Sequence, residues 1–462
     1  MQKGKSIHWL FIGLVLCVSA ISVQADDGSV HEYTLKNGLK LIVKEDHRAP
    51  VMVSQVWYKV GSSYEHDGIT GLSHVLEHMM FKGTTAHPAG EFSRIISENG
   101  GRENAFTSRD YTAYFQTMEK SRLPVSFELE ADRMRNLLIP EEEFQKEVRV
   151  VMEERRMRTE DNPQALLYEQ FNAMAFMSSP SRIPIIGWMD DLENMQVADL
   201  RAWYQQWYAP NNATVVVVGD VDPDFVLTQA KKYFADLKPM EITPPKPRRE
   251  VRQRGTRYLT VEAPAELPFL IMGYKTPILL TAEESWEPYA LDVLAGMLDG
   301  GDSARLSSQL VRGQQVAASA GAGYDLHDRL DGLFLMEGTP ANGHSIDELK
   351  TALLEQIKQL QEKAVTAEEL SRIKAQIRAT EVYQRDSVFY QAMQIGTLET
   401  VGIGWKELDN YMQQVQKVTA EQVQSVAKKY LLHDQLTIAE LKPLPIDSEN
   451  PPRSSAGGSH AH

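Results

Sequence analysis

The chain has 462 residues, 42% hydrophobic and 24% charged, with a formal net charge of -15. That length exceeds one ordinary hydrophobic core and predicts two or three domains of soluble, globular type. The acidity excludes a nucleic-acid role, because a polyphosphate partner needs a basic footprint.

The N-terminus predicts an export signal. Lys3 and Lys5 precede an apolar run from Trp9 to Val23, and Val23-Gln24-Ala25 offers a small-residue cleavage site. Residues 1–25 are then a signal peptide, and the mature chain keeps no membrane span, since the run is short for an anchor helix. Cys17, the only cysteine, lies within this run. The mature protein, expected in a Gram-negative-type periplasm, therefore has no disulfide and no thiolate. Any metal must be held by His and carboxylate.

Residues 31–45 alternate around Asn37-Gly38 and predict a hairpin, followed by an apolar strand from Val51 to Val60. A glycine-rich turn leads into a helix from Gly71 to Met80 that stops near Lys82-Gly83. A second helix is expected over Glu91–Ser97, then strands at Asn104–Thr107 and Tyr111–Met118. Long helices follow over Leu123–Leu138 and Pro140–Arg158. Met195–Tyr208 reads as a helix and Ala213–Gly219 as a buried strand, and Asp222-Pro223 opens a further helix with Pro at its first position. The Pro- and Arg-rich stretch 238–257 is a linker by composition. Beyond it, strands near Tyr258–Glu262 and Phe269–Tyr274 precede helices, strands and more helices, ending in a strand over Gln435–Leu441. The tail 443–462, rich in Pro, Ser and Gly, is expected to be disordered. These breaks define domains over 26–237 and 258–442.

The two domains read as copies. Aligning Met195, Leu200, Trp203 and Trp207 with Val418, Val423, Val426 and Tyr430 also sets Thr214-Val215 on Thr437-Ile438. Nearer the start of each copy, Val75-Leu-Glu-His-Met-Met80 resembles Val293-Leu-Ala-Gly-Met-Leu298. There Ala295 and Gly296 replace Glu77 and His78, so the chemistry belongs to one copy.

That chemistry lies in Gly71-Leu-Ser-His-Val-Leu-Glu-His-Met-Met80. His74 and His78 are four residues apart on one helix face, with Glu77 beside them. Two such imidazoles can grip one metal ion while the carboxylate handles a proton; the order is H-x-x-E-H. A third ligand must be His or carboxylate. The helix Glu141–Arg155 presents Glu147 and Glu154 two turns apart on one face, beside Val151. On spacing alone these remain either ligands or solvated acids.

The chain resembles the pitrilysin (insulinase) family of inverted-zincin metallopeptidases, in its short two-domain form akin to mitochondrial processing peptidase. The likeness rests on Gly71 to Thr84, Asn104-Ala-Phe-Thr107 with Asp110-Tyr-Thr-Ala-Tyr114, Glu147 to Glu154, Asp161-Asn-Pro163, and Trp207 to Asp220. It implies an α+β fold of two homologous α/β domains, each a mostly antiparallel sheet covered by helices, facing across a cleft. It further implies one Zn2+ per chain on His74, His78 and Glu154, with Glu77 as general base and Glu147 orienting the site. Glu153 is the alternative third ligand, but it points about 100° away from the Glu147 face. Two His and one carboxylate favour zinc over manganese or cobalt. Asn104, Ala105 and Phe106 resemble the family's edge strand, to which an extended peptide substrate adds by backbone pairing; for Phe106 a core role is the alternative. The implied function is a zinc endopeptidase acting on peptides or unfolded segments, and the alternative is a non-catalytic peptide-binding or assembly subunit.

One departure stands out. The family's second domain carries an Arg and a Tyr, seven residues apart, that grip the substrate backbone. Aligned through Gln315-Val-Ala-Ala318, those positions hold Val311 and Ala318, while Arg312 and Tyr324 are off register. A hetero-oligomeric partner subunit supplying that pair is therefore expected, with a homodimer as the competing arrangement.

Overall fold

The computed structural model describes residues 28–246 and 248–446. The expected signal peptide, and the expected tail beyond residue 446, lie outside the described residues. Strands β1 (Val30–Thr34), β2 (Lys40–Glu45), β3 (Val51–Tyr58), β4 (Arg102–Thr107), β5 (Thr112–Glu119) and β6 (Ala213–Gly219) form one sheet. Its order is β1-β2-β6-β3-β5-β4. Strands β7 (Arg257–Pro264), β8 (Phe269–Thr276), β9 (Ala317–Gly323), β10 (Gly332–Pro340) and β11 (Leu436–Leu444) form a second sheet, in the order β7-β11-β8-β10-β9.

The two orders match once β1 is set aside. In each sheet one neighbouring pair is parallel, β2 with β6 and β7 with β11, and the other pairs are antiparallel. The sequence copies are thus copies of topology, and β4 corresponds to β9, each on its sheet's edge.

The first half carries helices α1 (Leu72–Met79), α2 (Glu91–Glu98), α3 (Leu123–Asn136) and α4 (Glu141–Arg155). It continues with α5 (Pro163–Ala175), α6 (Met189–Asn194), α7 (Val197–Trp207) and α8 (Pro223–Phe234). The second half carries α9 (Glu287–Asp299), α10 (Ile346–Glu362), α11 (Ala367–Gln384), α12 (Val388–Val401), α13 (Glu407–Lys417) and α14 (Ala420–Tyr430). None of the described helices is long and apolar enough to cross a membrane.

Both faces of each sheet are buried, which explains why β6 is an unbroken apolar run. Val215 and Val217 join the core under the first half's own helices, whereas Val216 and Val218 join a cluster with Ala392 and Ile395 of α12. In the second sheet Leu270, Met272 and Tyr274 face their own helices, while Phe269 and Ile271 meet Leu167, Phe171 and Ala175 of α5. Each half therefore lends one helix to the other half's sheet. Both contacts need glycine. A Cβ on Gly396 would lie 2.0 Å from Trp57 Cε2, and one on Gly273 would lie 2.7 Å from Phe171 Cζ.

Helix α5 is not among the elements expected from the sequence, although Asp161-Asn-Pro163 at its start is; Asn162 caps it by accepting from the N–H groups of Gln164 and Ala165. Two expected boundaries also move. Strand β11 runs on to Leu444, past the expected end of the second domain at 442. Beyond Leu441 it pairs with β7 alone, so Pro443, which lacks an N–H, sits where one side needs no partner. The linker ends at Thr256, because Arg257 opens β7, and it is tied down. Glu250 accepts from the N–H groups of Met177, Ser178 and Ser179 and from Lys275 Nζ.

Candidate metal centre

Helix α1 is held at its start by a buried acid. Gly71 takes the left-handed conformation (φ 91°), and its N–H and that of Ser73 donate to the two oxygens of Glu65, each at 2.7 Å. Burial pushes the Glu65 carboxyl up to about 7, against the pull of these two N–H donors. The anchor leaves one face of α1 turned towards α4 and β4.

On that face His74 and His78 stand with ring centroids 4.9 Å apart and planes at 76°. Glu154 reaches them from the last turn of α4. Its Oε2 lies 3.4 Å from His78 Nε2 and 3.8 Å from His74 Nε2. One ligand atom from each of the three lies within 4.8 Å of the others, the sole such cluster of three among the described residues. Donors bound tetrahedrally at about 2.0–2.2 Å stand roughly 3.3–3.6 Å apart; the His78–Glu154 separation matches that spacing, and the wider pairs would close by about an ångström or less to hold one small divalent cation.

Charge around the cluster fits the same reading. Burial works against a charged His78, but Glu147 and Glu154 outweigh it and lift its pKa to about 9. Burial raises Glu154, and His78, His74 and Arg158 overcome that, holding it at about 2. The pair of carboxylates thus draws positive charge into the centre. Glu147 lies on the other ring nitrogen of His78, with Oε2 3.4 Å from Nδ1, and Lys82 Nζ approaches its Oε1 at 2.8 Å. Arg158 engages Glu154 Oε1 at 2.5 Å, on the side away from the histidines. Glu153 does not compete for the cluster: its side chain is 59% exposed and pairs with Arg156.

Glu77 sits beside the cluster and accepts a hydrogen bond of 2.5 Å from Thr107 Oγ1, at the end of β4. Burial pushes its pKa up, and the Thr107 hydroxyl pulls the other way. A raised carboxyl pKa is the direction that general-base work requires. Strand β4 pairs with β5 alone, leaving its outer edge open among the described residues. Asn104 Oδ1 accepts from the N–H of Ala105, and Ala105 packs on the first-half core. The Phe106 ring lies against Trp57, Tyr111 and Phe115, at centroid distances of 5.4, 6.2 and 6.2 Å, so it is a packing residue.

Sequence reasoning missed Glu65, Lys82, Thr107 and Arg158 as members of the site. Lys82 and Thr107 lay inside stretches already singled out, but a hydrogen-bonding role has no periodicity to betray it. Of the second-half positions, Arg312 donates to the Asp302 carbonyl, while the Tyr324 hydroxyl donates to the Pro277 carbonyl at 2.6 Å and its ring stacks near Phe334. Both are engaged within their own half.

A duplicated α+β frame with a His-His-Glu cluster in its first half defines the class of protein. Residues 40–187 match the family model for insulinase (peptidase family M16), and residues 194–377 match that for the peptidase M16 inactive domain. The chain is 34% identical over 416 residues to the zinc protease PqqE of Helicobacter pylori, covering 89% of this chain and 92% of that protein. It is 26% identical over 408 residues to the uncharacterized zinc protease YmxG of Bacillus subtilis, covering 88% and 96%. A solved protease from Helicobacter pylori superposes with a TM-score of 0.84 at 32% identity, covering 90% of this chain and 100% of that one. A peptidase M16 inactive domain from Pseudomonas fluorescens reaches 0.81 at 17% identity, covering 91% and 100%, a likeness of fold. The chain belongs to peptidase family M16.

Proposed function

We propose that this chain is a zinc-dependent endopeptidase that hydrolyses peptides, or unfolded segments, held as an extended strand along the open edge of β4. The observation that carries the reading is the cluster of His74, His78 and Glu154 ligand atoms within 4.8 Å of one another, with Glu77 one residue from His78. Zinc, one ion per chain, supplies Lewis acidity, which lowers the pKa of water and polarises a peptide carbonyl.

The chain's own groups do the rest. Glu77 takes the proton of the attacking water and returns it to the leaving amine. Glu147 holds Nδ1 of His78 and so sets the ring's orientation and tautomer. Lys82 offsets Glu147 and Arg158 offsets Glu154 on their outer oxygens, leaving Glu147 Oε2 to His78 and Glu154 Oε2 to the cation. The backbone of Asn104, Ala105 and Phe106 selects for an extendable segment more than for a side-chain sequence.

Two further parts of the proposal concern context. The chain is exported to a periplasm through residues 1–25, a reading supported by the Lys3, Lys5 and Val23-Gln24-Ala25 pattern. A partner subunit completes the substrate grip, because Val311 and Ala318 offer no hydrogen-bonding side chain and Arg312 and Tyr324 are occupied. A homodimer is the competing arrangement, and the mass of the native assembly separates the two.

The second reading, a non-catalytic peptide-binding or assembly subunit, draws on the family's inactive domains. The intact ligand set opposes it. Zinc analysis of the purified protein, with whatever subunit accompanies it, tests both. One zinc per chain is expected, and Glu77→Gln should keep that zinc while peptide cleavage falls by about 10²–10⁴-fold. Absent zinc, or cleavage unchanged in that variant, would sink the peptidase reading.

A further inference from the structure

The turn between β4 and β5 carries two things the proposed chemistry depends on, Thr107 against Glu77 and the inner end of the substrate edge. It is braced unusually heavily for a hairpin turn. Ser108 donates its N–H to the Tyr111 carbonyl at 2.8 Å, closing the turn. The segment after β3 grips it from one side: Ser62 and Ser63 donate their N–H groups to the carbonyls of Ser108 and Arg109, at 3.2 and 2.8 Å. Gly61 permits that approach, since a Cβ there would lie 2.2 Å from the Ser108 carbonyl oxygen.

From the other side the second half reaches in. Arg329, in the connection between β9 and β10, donates through Nε to Asp110 Oδ1 at 2.8 Å and through its backbone N–H to Oδ2 at 3.3 Å. A second guanidinium nitrogen donates to Ser63 Oγ at 2.7 Å, and that hydroxyl donates on to Asp110 Oδ1 at 2.5 Å. The guanidinium also lies 4.6 Å from the Tyr64 ring centroid. Asp110 is 5% exposed, so its charge is out of water and this fork is its compensation. One planar cation therefore ties together Asp110 on the turn, Ser63 on the neighbouring strand exit, and the second half.

We propose that Arg329 is a positioning residue for the metal centre: by clamping Asp110 and Ser63 it fixes the β4–β5 turn, which holds the Thr107 hydroxyl on Glu77 and keeps the β4 edge in place for substrate. The half without metal ligands thereby acts on the half that has them. This rests on the peptidase reading for its consequence, though the clamp itself can be tested without it.

The test compares Arg329→Met, Arg329→Lys, Thr107→Val and Thr107→Ser in the assembly in which the protein is isolated. Three quantities are followed: zinc content, amide hydrogen exchange across residues 102–112, and kcat and KM on one quenched-fluorescent peptide cleaved by the wild type. Zinc should stay at one per chain in all four. Arg329→Met should speed exchange across 102–112, raise KM and lower kcat, with kcat/KM falling roughly 10–100-fold, and Arg329→Lys should recover part of each because a point charge cannot fork. Thr107→Val should lower kcat roughly 10–100-fold at unchanged KM and unchanged exchange, while Thr107→Ser, which keeps a hydroxyl, should recover part of that loss. Wild-type exchange across 102–112 in zinc-loaded Arg329→Met would overturn the proposal, as would equal losses in the two Thr107 variants. Should Arg329→Met not fold, exchange in Arg329→Lys and Asp110→Asn decides the point. If the wild type cleaves no peptide, the peptidase reading falls and the exchange measurement still judges the clamp.

Discussion

The two halves of this chain share a frame and differ in what four side chains do on it. On α1, His74, Glu77 and His78 face Glu154 of α4. On α9 the corresponding positions are Asp292, Ala295 and Gly296, and the facing helix is α11. Asp292 accepts from the Tyr411 hydroxyl at 2.5 Å, so its polar capacity goes into packing two helices. A Cβ on Gly296 would stand 3.2 Å from Ile373 Cγ2, so an apolar residue of α11 fills the space beside it. Five strands in one order and the helix pairs α1/α9 and α7/α14 recur in both halves. A binding centre therefore depends on local side chains, and the frame persists in the half that lacks it. The second half keeps another job, which is to support the first through α12 and Arg329.

The comparison can be broken most forcefully at the ligands. Glu154→Ala should reduce zinc to a small fraction of one per chain after dialysis, whereas Asp292→Ala should leave it at one; metal analysis of the two side by side checks this. Next come the exchanged helices. Trp57→Ala and Phe171→Ala each open a cavity beneath a glycine of the partner half and should each cost about 3–5 kcal/mol in denaturant unfolding. Similar losses at the two sites would match the reciprocal packing, and a negligible loss at either would break it. Glu147→Gln should weaken zinc binding by about 10–100-fold in a competitive chelator titration, without abolishing it.

A pH effect of smaller size follows from His78 and Glu154 in the zinc-free protein. His78 is raised to about 9 from an ordinary 6.5, so its contribution to stability is full below 6.5 and is lost as pH rises through 9. Glu154 is lowered to about 2 from 4.5, so its contribution is full above 4.5 and is lost as pH falls towards 2. Melting temperature of the chelated protein should therefore drop between pH 6.5 and 9, and zinc loading at pH 7.5 should release about one proton per ion as His78 gives up its charge. Melting that is flat over that interval would contradict the assignment. The smallest effect is expected from Gly296→His. The new ring meets Ile373, and the Asp292 carboxylate one turn away is already engaged by Tyr411, so zinc should stay at one per chain.

How much of this was legible in the sequence depends on how local each signal is. His74, Glu77 and His78 lie within five residues of one helix, and helical periodicity puts them on a shared face. Glu147 and Glu154 were legible as a face of α4, and the choice between them needed either a family likeness or the distances in the folded chain. Strand β6 announced itself by its apolar run, and the repeat of α7–β6 as α14–β11 announced the duplication. Helix α5 did not, because Leu167, Phe171 and Ala175 are buried by strands that begin at Arg257, far along the chain. Arg329 and Asp110 are 219 residues apart, and neither carries a pattern that points to the other. Glu65 is only six residues from Gly71, yet a carboxylate capping a helix from a preceding loop looks like any surface acid until it is seen buried.

The most direct test of the central assignment is anomalous scattering at the zinc edge from crystals of the zinc-loaded protein. One peak per chain is expected, within about 2.0–2.2 Å of His74 Nε2, His78 Nε2 and Glu154 Oε2, with none between α9 and α11. No peak at those three atoms, or an equal one beside Asp292, would contradict it.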